Sequence, residues 1–156
     1  HENKLSRQVS LHNSGVMASC TSYLLIDENG KEMHEQPEYN KQHVTTKDLL
    51  RNNVISVGAV CLNRSIIETK LFREDLNLIG DLELWLRISS EHEFVYISDR
   101  LEFSRQHGSN TSKIHAKRWI QERRKLYPLI LKSSWKASTL QGLIYILKSE
   151  IGAIIN

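Results

Sequence analysis

The chain has 156 residues, 40% of them hydrophobic and 25% charged, which suits one domain with an apolar core and speaks against a disordered or fibrous protein. Two cysteines, Cys20 and Cys61, lie far apart in strand-like stretches, so neither a metal spacing nor a disulfide framework is suggested, and both read as buried thiols of a reducing compartment. The formal net charge of +3 conceals an uneven distribution: nine basic residues between Arg105 and Lys136 face one acid, Glu122, and the remainder is net acidic.

In chain order, Asn3 to Ser14 reads as a short helix stopped by Gly15. Val16 to Ile26 is rich in strand formers and closes on Asp27-Glu28-Asn29-Gly30, whose Asn-Gly pair suits a hairpin turn with positive φ. Lys31 to His43 is polar, aperiodic and contains Pro37, the pattern of a long surface loop. Thr45 and Asp48 have the spacing of a capping box for a helix through Arg51. A strand is expected over Val54 to Leu62, then a polar break at Asn63 and Arg64, then an acidic loop after Phe72. Asp81 to Ser89 is apolar on nearly all sides, as a buried helix requires. Phe94 to Ile97 and Leu101 to Ser104 read as two short strands. A helix begins near Ser112 with Trp119, Ile120 and Tyr127 on its apolar stripe, and Pro128 ends or kinks it. From Leu140 to Ile155 apolar residues recur at three- and four-residue steps, a second amphipathic helix that needs a partner or a membrane surface.

The stretch from Phe72 to Ile88 carries the most chemistry. An aromatic residue, an acidic loop, a glycine and then Asp81 at the mouth of a greasy helix put one carboxylate at a cavity edge while its helix is anchored in the core. The positive end of the helix macrodipole favours the ionised form of such a carboxylate, which suits a base. On spacing alone, a simple N-cap is the commoner use of an aspartate there, although Leu84 stands where a capping box would need Glu or Gln.

Gly80-Asp81, Glu83 and Leu84-Trp85-Leu86-Arg87 resemble the signature of family 2 inverting glycosyltransferases, in which an acidic pair is followed by a further acid and a Leu-Trp-Leu-Arg run. Lys4-Leu5 with Gln8 resembles the helix after that family's metal-binding DxD motif, and Ile26 to Gly30 resembles its hairpin. Asn53 to Arg64 resembles its following strand, and Arg105-Gln106-His107 with Asn110 and Ser112 resembles its closing motif. The resemblance implies an α/β fold: the C-terminal, acceptor-binding half of a GT-A fold over residues 1–112, a mixed sheet with flanking helices, followed over 113–156 by a basic, amphipathic helical extension. It implies that Asp81 is the catalytic base, that Glu83, Trp85 and Arg105 are substrate-binding positions and that His107 lies near the metal and diphosphate. From the residues alone, Glu83 serves equally in an i,i+4 pair with Arg87, Trp85 in the core and His107 in a structural role.

Two departures qualify these expectations. Gly80 stands where the family carries Glu, and the chain holds no DxD. The chain therefore reads as a fragment lacking the donor half, inactive alone. A nucleotide-sugar donor, a saccharide or lipid-linked acceptor and a divalent cation, Mg or Mn, would belong to the full-length enzyme. With neither a leader pattern nor ~18 uninterrupted apolar residues, the expected location is cytoplasmic, peripheral at the inner face of the membrane through 113–156. The competing reading is a non-catalytic basic module for an anionic membrane surface, a partner subunit of a homo-oligomer, or nucleic acid. Nucleic acid is disfavoured because the aromatics of the basic segment, Trp119 and Tyr127, fall on its apolar stripe.

Overall fold

The computed structural model describes residues 1–33, 39–107 and 116–126, without the side chains at positions 116, 117, 119 and 120. The expected features at Pro37, Asn110, Ser112, Tyr127 and Pro128, the helix from Leu140 to Ile155, and the packing of Trp119 and Ile120 lie outside what is described. Within it the chain is mixed α/β. The helices are α1 (Lys4–Asn13), α2 (Thr46–Arg51), α3 (Arg64–Thr69), α4 (Gly80–Ser89) and α5 (Ala116–Arg124). The strands are β1 (Ala18–Ile26), β2 (His43–Val44), β3 (Val60–Leu62) and β4 (Phe94–Arg105). They form one sheet in the order β2-β4-β1-β3, with β1 and β4 parallel and both outer strands antiparallel to their neighbours. None of the described helices is long and apolar enough to cross a membrane.

Helix α1 ends as its sequence requires. Gly15, at φ +97°, lets its own amide reach the His12 carbonyl (3.0 Å) and the Val16 amide reach Leu11 (3.3 Å), a Schellman stop. The face α1 turns to the sheet is polar at its centre: Gln8 is fully buried and its Nε2 donates to the Ser19 Oγ (3.2 Å) and the Ala59 carbonyl (3.0 Å), while Leu5 and Val9 face outward.

The Asp27 turn departs from the expected hairpin geometry. Gly30 alone adopts positive φ, and Asn29 does not, because the Asp27 carboxylate accepts from the amides of Asn29 (2.9 Å) and Lys31 (2.8 Å) and organises the turn as an Asx motif. One antiparallel bridge, Ile26 to Glu32, follows it.

Two strand expectations change. The Val54–Leu62 stretch gives only the three residues of β3, preceded by a 3-10 turn at Val57–Ala59, where the Glu102 side chain lies over Gly58 and its carboxylate would stand 2.8 Å from an added Cβ. The two segments expected at 94–97 and 101–104 are one strand, because the polar residues between them are taken up as irregularities in the β1–β4 register between Thr21 and Tyr23. Asn63 and Arg64 do not only break a strand: Asn63 caps α3 by accepting from the Ser65 amide (3.1 Å). Of the two thiols, Cys20 is buried and pushed up to about 12 by that burial, whereas Cys61 is half-buried.

The capping box at Thr45 is complete. The Thr45 hydroxyl accepts from the Asp48 amide, and the Asp48 carboxylate accepts from the Thr45 amide at 3.1 Å. Burial alone would raise the Asp48 pKa, yet the Lys41 ammonium and the Thr45 hydroxyl and amide outweigh it and hold the group at about 2. A depressed carboxylate contributes stability that is present above the unfolded value near 3.8 and lost as pH falls to about 2. The unfolding free energy from urea titrations should therefore fall between pH 5 and pH 2 by roughly 1–2 kcal/mol more in the wild type than in Asp48→Asn. Equal losses in the two proteins would dismiss that contribution.

The core lies between the sheet and α2, α3 and α4, and draws in Leu126 just past α5. Helix α4 is buried nearly all round, as its composition requires. Trp85 sits edge-on to Phe72 (6.2 Å) and Phe94 (5.7 Å), and Ser89 meets Thr46 of α2 at 2.8 Å.

Candidate functional site

Helix α4 has no cap of its own: Ile79 occupies the capping position and offers no side-chain hydrogen bond. Asp81 is the second residue of the helix. Its Oδ1 accepts from the Leu82 amide (2.7 Å), and its Oδ2 accepts a long bond from Asn53 Nδ2 (3.4 Å). The Asn53 Oδ1 in turn accepts from the Ile55 amide (3.3 Å), so the segment leaving α2 orients the amide that faces the carboxylate.

Burial raises the Asp81 pKa above the ordinary carboxylate value, and the Leu82 amide and Asn53 pull it back only in part. The sequence expectation that the macrodipole would keep this group readily ionised is thus reversed in direction. A helix end lends about half an elementary charge to an exposed anion, and losing water from a half-buried carboxylate outweighs that here. The chemical consequence favours a base, since a carboxylate of higher pKa accepts a proton with a larger driving force.

Around Asp81 the family-like positions separate by role. Glu83 is only 1% exposed and grips Arg87 through two bonds, Nε to Oε1 at 2.8 Å and Nη2 to Oε2 at 2.9 Å, the i,i+4 pairing. Arg87 also donates to the Leu71 carbonyl at 2.5 Å, tying the loop before α4 to the helix. Trp85 is 2% exposed and packed among aromatic rings. Gly80, where the family would carry Glu, has the ring of Phe72 3.8 Å from where a Cβ would stand. Phe72 remains 54% exposed beside that turn.

Arg105 ends β4 in the last β1–β4 pair, with Ile26, and His107 lies two residues beyond it. Arg105 Nη1 donates to the carbonyls of Asp27 (2.9 Å) and Glu28 (2.7 Å), so its guanidinium fastens the hairpin turn. His107 is exposed. Among the described residues no three His, Cys, Asp or Glu side chains are grouped as metal ligands. Helix α4 thus unites Asp81, Glu83 and Trp85, while Arg105 and His107 belong to the strand tip. A groove of about 330 Å³ lies elsewhere again, lined by Ser6, Arg7, Ser10 and Leu11 of α1 and Ile97 of β4.

Two residues that sequence reasoning passed over complete the mouth of α4. Asn53 carried a hint, being one of the positions that resembles the family. Glu122 carried only its oddity as the single acid in a basic run. It is 3% exposed, and its Oε2 accepts from the amides of Leu78 (2.7 Å) and Ile79 (3.3 Å) while Arg118 Nε approaches Oε1 at 3.3 Å. Burial opposes its charge, but those amides and Arg118 prevail and lower its pKa. Lys125 donates to the Asp75 carbonyl (2.9 Å) and carboxylate (3.1 Å), and Arg123 is 1% exposed. Much of the described basic segment is therefore engaged within the fold.

No family model matches the chain, and no curated protein matches it.

Proposed function

We propose that the chain is the acceptor-side part of an inverting, nucleotide-sugar-dependent glycosyltransferase with a partial GT-A fold, in which Asp81 is the general base. The observation that carries this reading is a half-buried carboxylate in the first turn of a core helix, its pKa raised by burial and its Oδ2 faced by the Asn53 amide. The order of family-like segments along the chain supports it. In the reaction Asp81 Oδ2 takes the proton of an acceptor hydroxyl as that oxygen bonds to the anomeric carbon of the donor sugar. The bond from that carbon to the nucleotide diphosphate breaks on the opposite face, and the diphosphate leaves with the electron pair. Asn53 steadies the carboxylate, and the Glu83–Arg87 pair holds the helix and the preceding loop in register. Donor and divalent cation would be held by residues outside those described.

The rival reading, a basic module for anionic surfaces, loses support from the internal pairing of Arg118 and Lys125 and the burial of Arg123. Incubating the protein that carries this chain with nucleotide sugars and candidate acceptors, and reading the anomeric configuration by NMR, should show inversion. A product of retained configuration would sink the mechanism, because a single displacement of the diphosphate by the acceptor oxygen from the opposite face cannot give it.

A further inference from the structure

The first turn of α4 lacks a cap from its own chain segment, and the missing acceptor arrives from α5. Glu122, buried, takes the two backbone donors just ahead of the helix, those of Leu78 and Ile79. Asp81 takes one inside the first turn, that of Leu82. The two carboxylates thus accept from amides on either side of the helix start, Glu122 just ahead of it and Asp81 within its first turn, so the way Glu122 holds the entry bears on where Asp81 sits. A second link, Lys125 to Asp75, keeps α5 on the loop that leads into the turn.

We infer that Glu122 is a positioning residue for Asp81, which makes the basic helix α5 a working part of the site. The geometric claim stands alone, while its consequence for turnover rests on the transferase reading. Glu122 touches no reacting atom; it acts by fixing the amides that set where the Asp81 carboxylate sits and how much water reaches it. Among the described residues the charged groups of the elements packed here include Glu83 and Arg87, paired on α4; Arg73 and Asp75, paired in the loop; and Glu122, Arg118, Lys125 and the buried Arg123 from the α5 segment.

The test uses the full chain with Glu122→Ala, Glu122→Gln and Lys125→Met, read by amide hydrogen exchange at Leu78, Ile79 and Leu82 and by NMR titration of the Asp81 carboxyl. Glu122→Ala should speed exchange at all three amides roughly tenfold, as loss of a charge-assisted bond implies. It should also move the Asp81 titration down toward the ordinary carboxylate value, as water enters the loosened turn. Glu122→Gln keeps one accepting oxygen and should fall between, and Lys125→Met should leave the Asp81 titration close to wild type. Faster exchange at Leu78 and Ile79 with an unmoved Leu82 amide and an unmoved Asp81 titration would overturn the inference, leaving Glu122 a structural cap. If Glu122→Ala does not fold, Glu122→Gln decides by the same readouts: a smaller downward shift of Asp81 supports it, and no shift overturns it. In a transfer assay Glu122→Ala should lower kcat and shift the acid limb of the pH profile downward, leaving the acceptor KM within about twofold. Wild-type turnover by Asp81→Asn would instead remove the transferase reading while leaving the NMR result standing.

Discussion

The Asp81→Asn protein should transfer sugar about 10²- to 10⁴-fold more slowly than wild type, the usual contribution of a positioned general base. Asparagine preserves the shape of the side chain and an oxygen that can accept from the Leu82 amide, so the turn of α4 and donor binding should be nearly unchanged. The same substitution carries an opposite expectation for stability. A carboxylate whose folded pKa is raised contributes stability that is fully present below its unfolded value near 3.8 and lost as pH rises through the folded value. At neutral pH the ionised, half-buried Asp81 therefore weighs against the fold, and Asp81→Asn should be at least as stable as wild type. Below about pH 4 that advantage should vanish. Chemical denaturation at pH 7 and pH 3 beside a turnover assay checks both halves. A variant with low turnover that is also less stable at pH 7 would show that Asp81 supports the helix rather than the chemistry.

Trp85→Ala should destabilise the fold by about 3–5 kcal/mol, the range for removing a large aromatic from a packed core. The indole is 2% exposed and lies edge-on to two rings, so the residual cavity would be lined by Phe72, Phe94 and the aliphatic core, with little able to collapse into it. Trp85→Phe should be far milder, because it keeps the edge-on contacts and removes an indole N–H that has no hydrogen-bond partner among the described residues. Urea unfolding of the two variants separates the cases. A loss below about 1 kcal/mol in Trp85→Ala would show that the indole is not a core residue.

The local grammar of the chain was legible where one segment suffices to determine its own shape. The Schellman stop at Gly15, the capping box at Thr45 and the all-round burial of α4 each follow from side chains within a few residues of one another. What was not legible depends on distant partners. The single strand β4 looked like two because its polar middle breaks the alternation, and only pairing with β1 carries the ladder across the irregularities. The stretch before β3 reads as strand by composition, but it forms a 3-10 turn over Val57–Ala59 with the Glu102 side chain of β4 lying against Gly58, a neighbour that local composition does not reveal.

The site was half legible for the same reason. Asp81 and the Glu83–Arg87 pair lie on one helix and could be read from spacing, whereas Glu122 meets the Leu78 amide across 44 positions of sequence. The direction of the Asp81 shift was also missed, because macrodipole arguments need only the helix while burial needs the whole fold.

The lopsided sheet has a consequence for how the molecule loosens. At one end, where Ala18–Cys20 and Phe94–Val95 meet β3 and β2, four strands lie side by side; toward Ile26 and Arg105 the pairing among the described residues narrows to a ribbon of two, with the Glu32 bridge beside it. Narrow ribbons coil more and unzip more readily than wide sheets. Opening should thus begin at the tip that Arg105 staples to the Asp27 turn and travel inward, so that the arginine acts as the catch on a zipper whose fixed end is the core beneath α4.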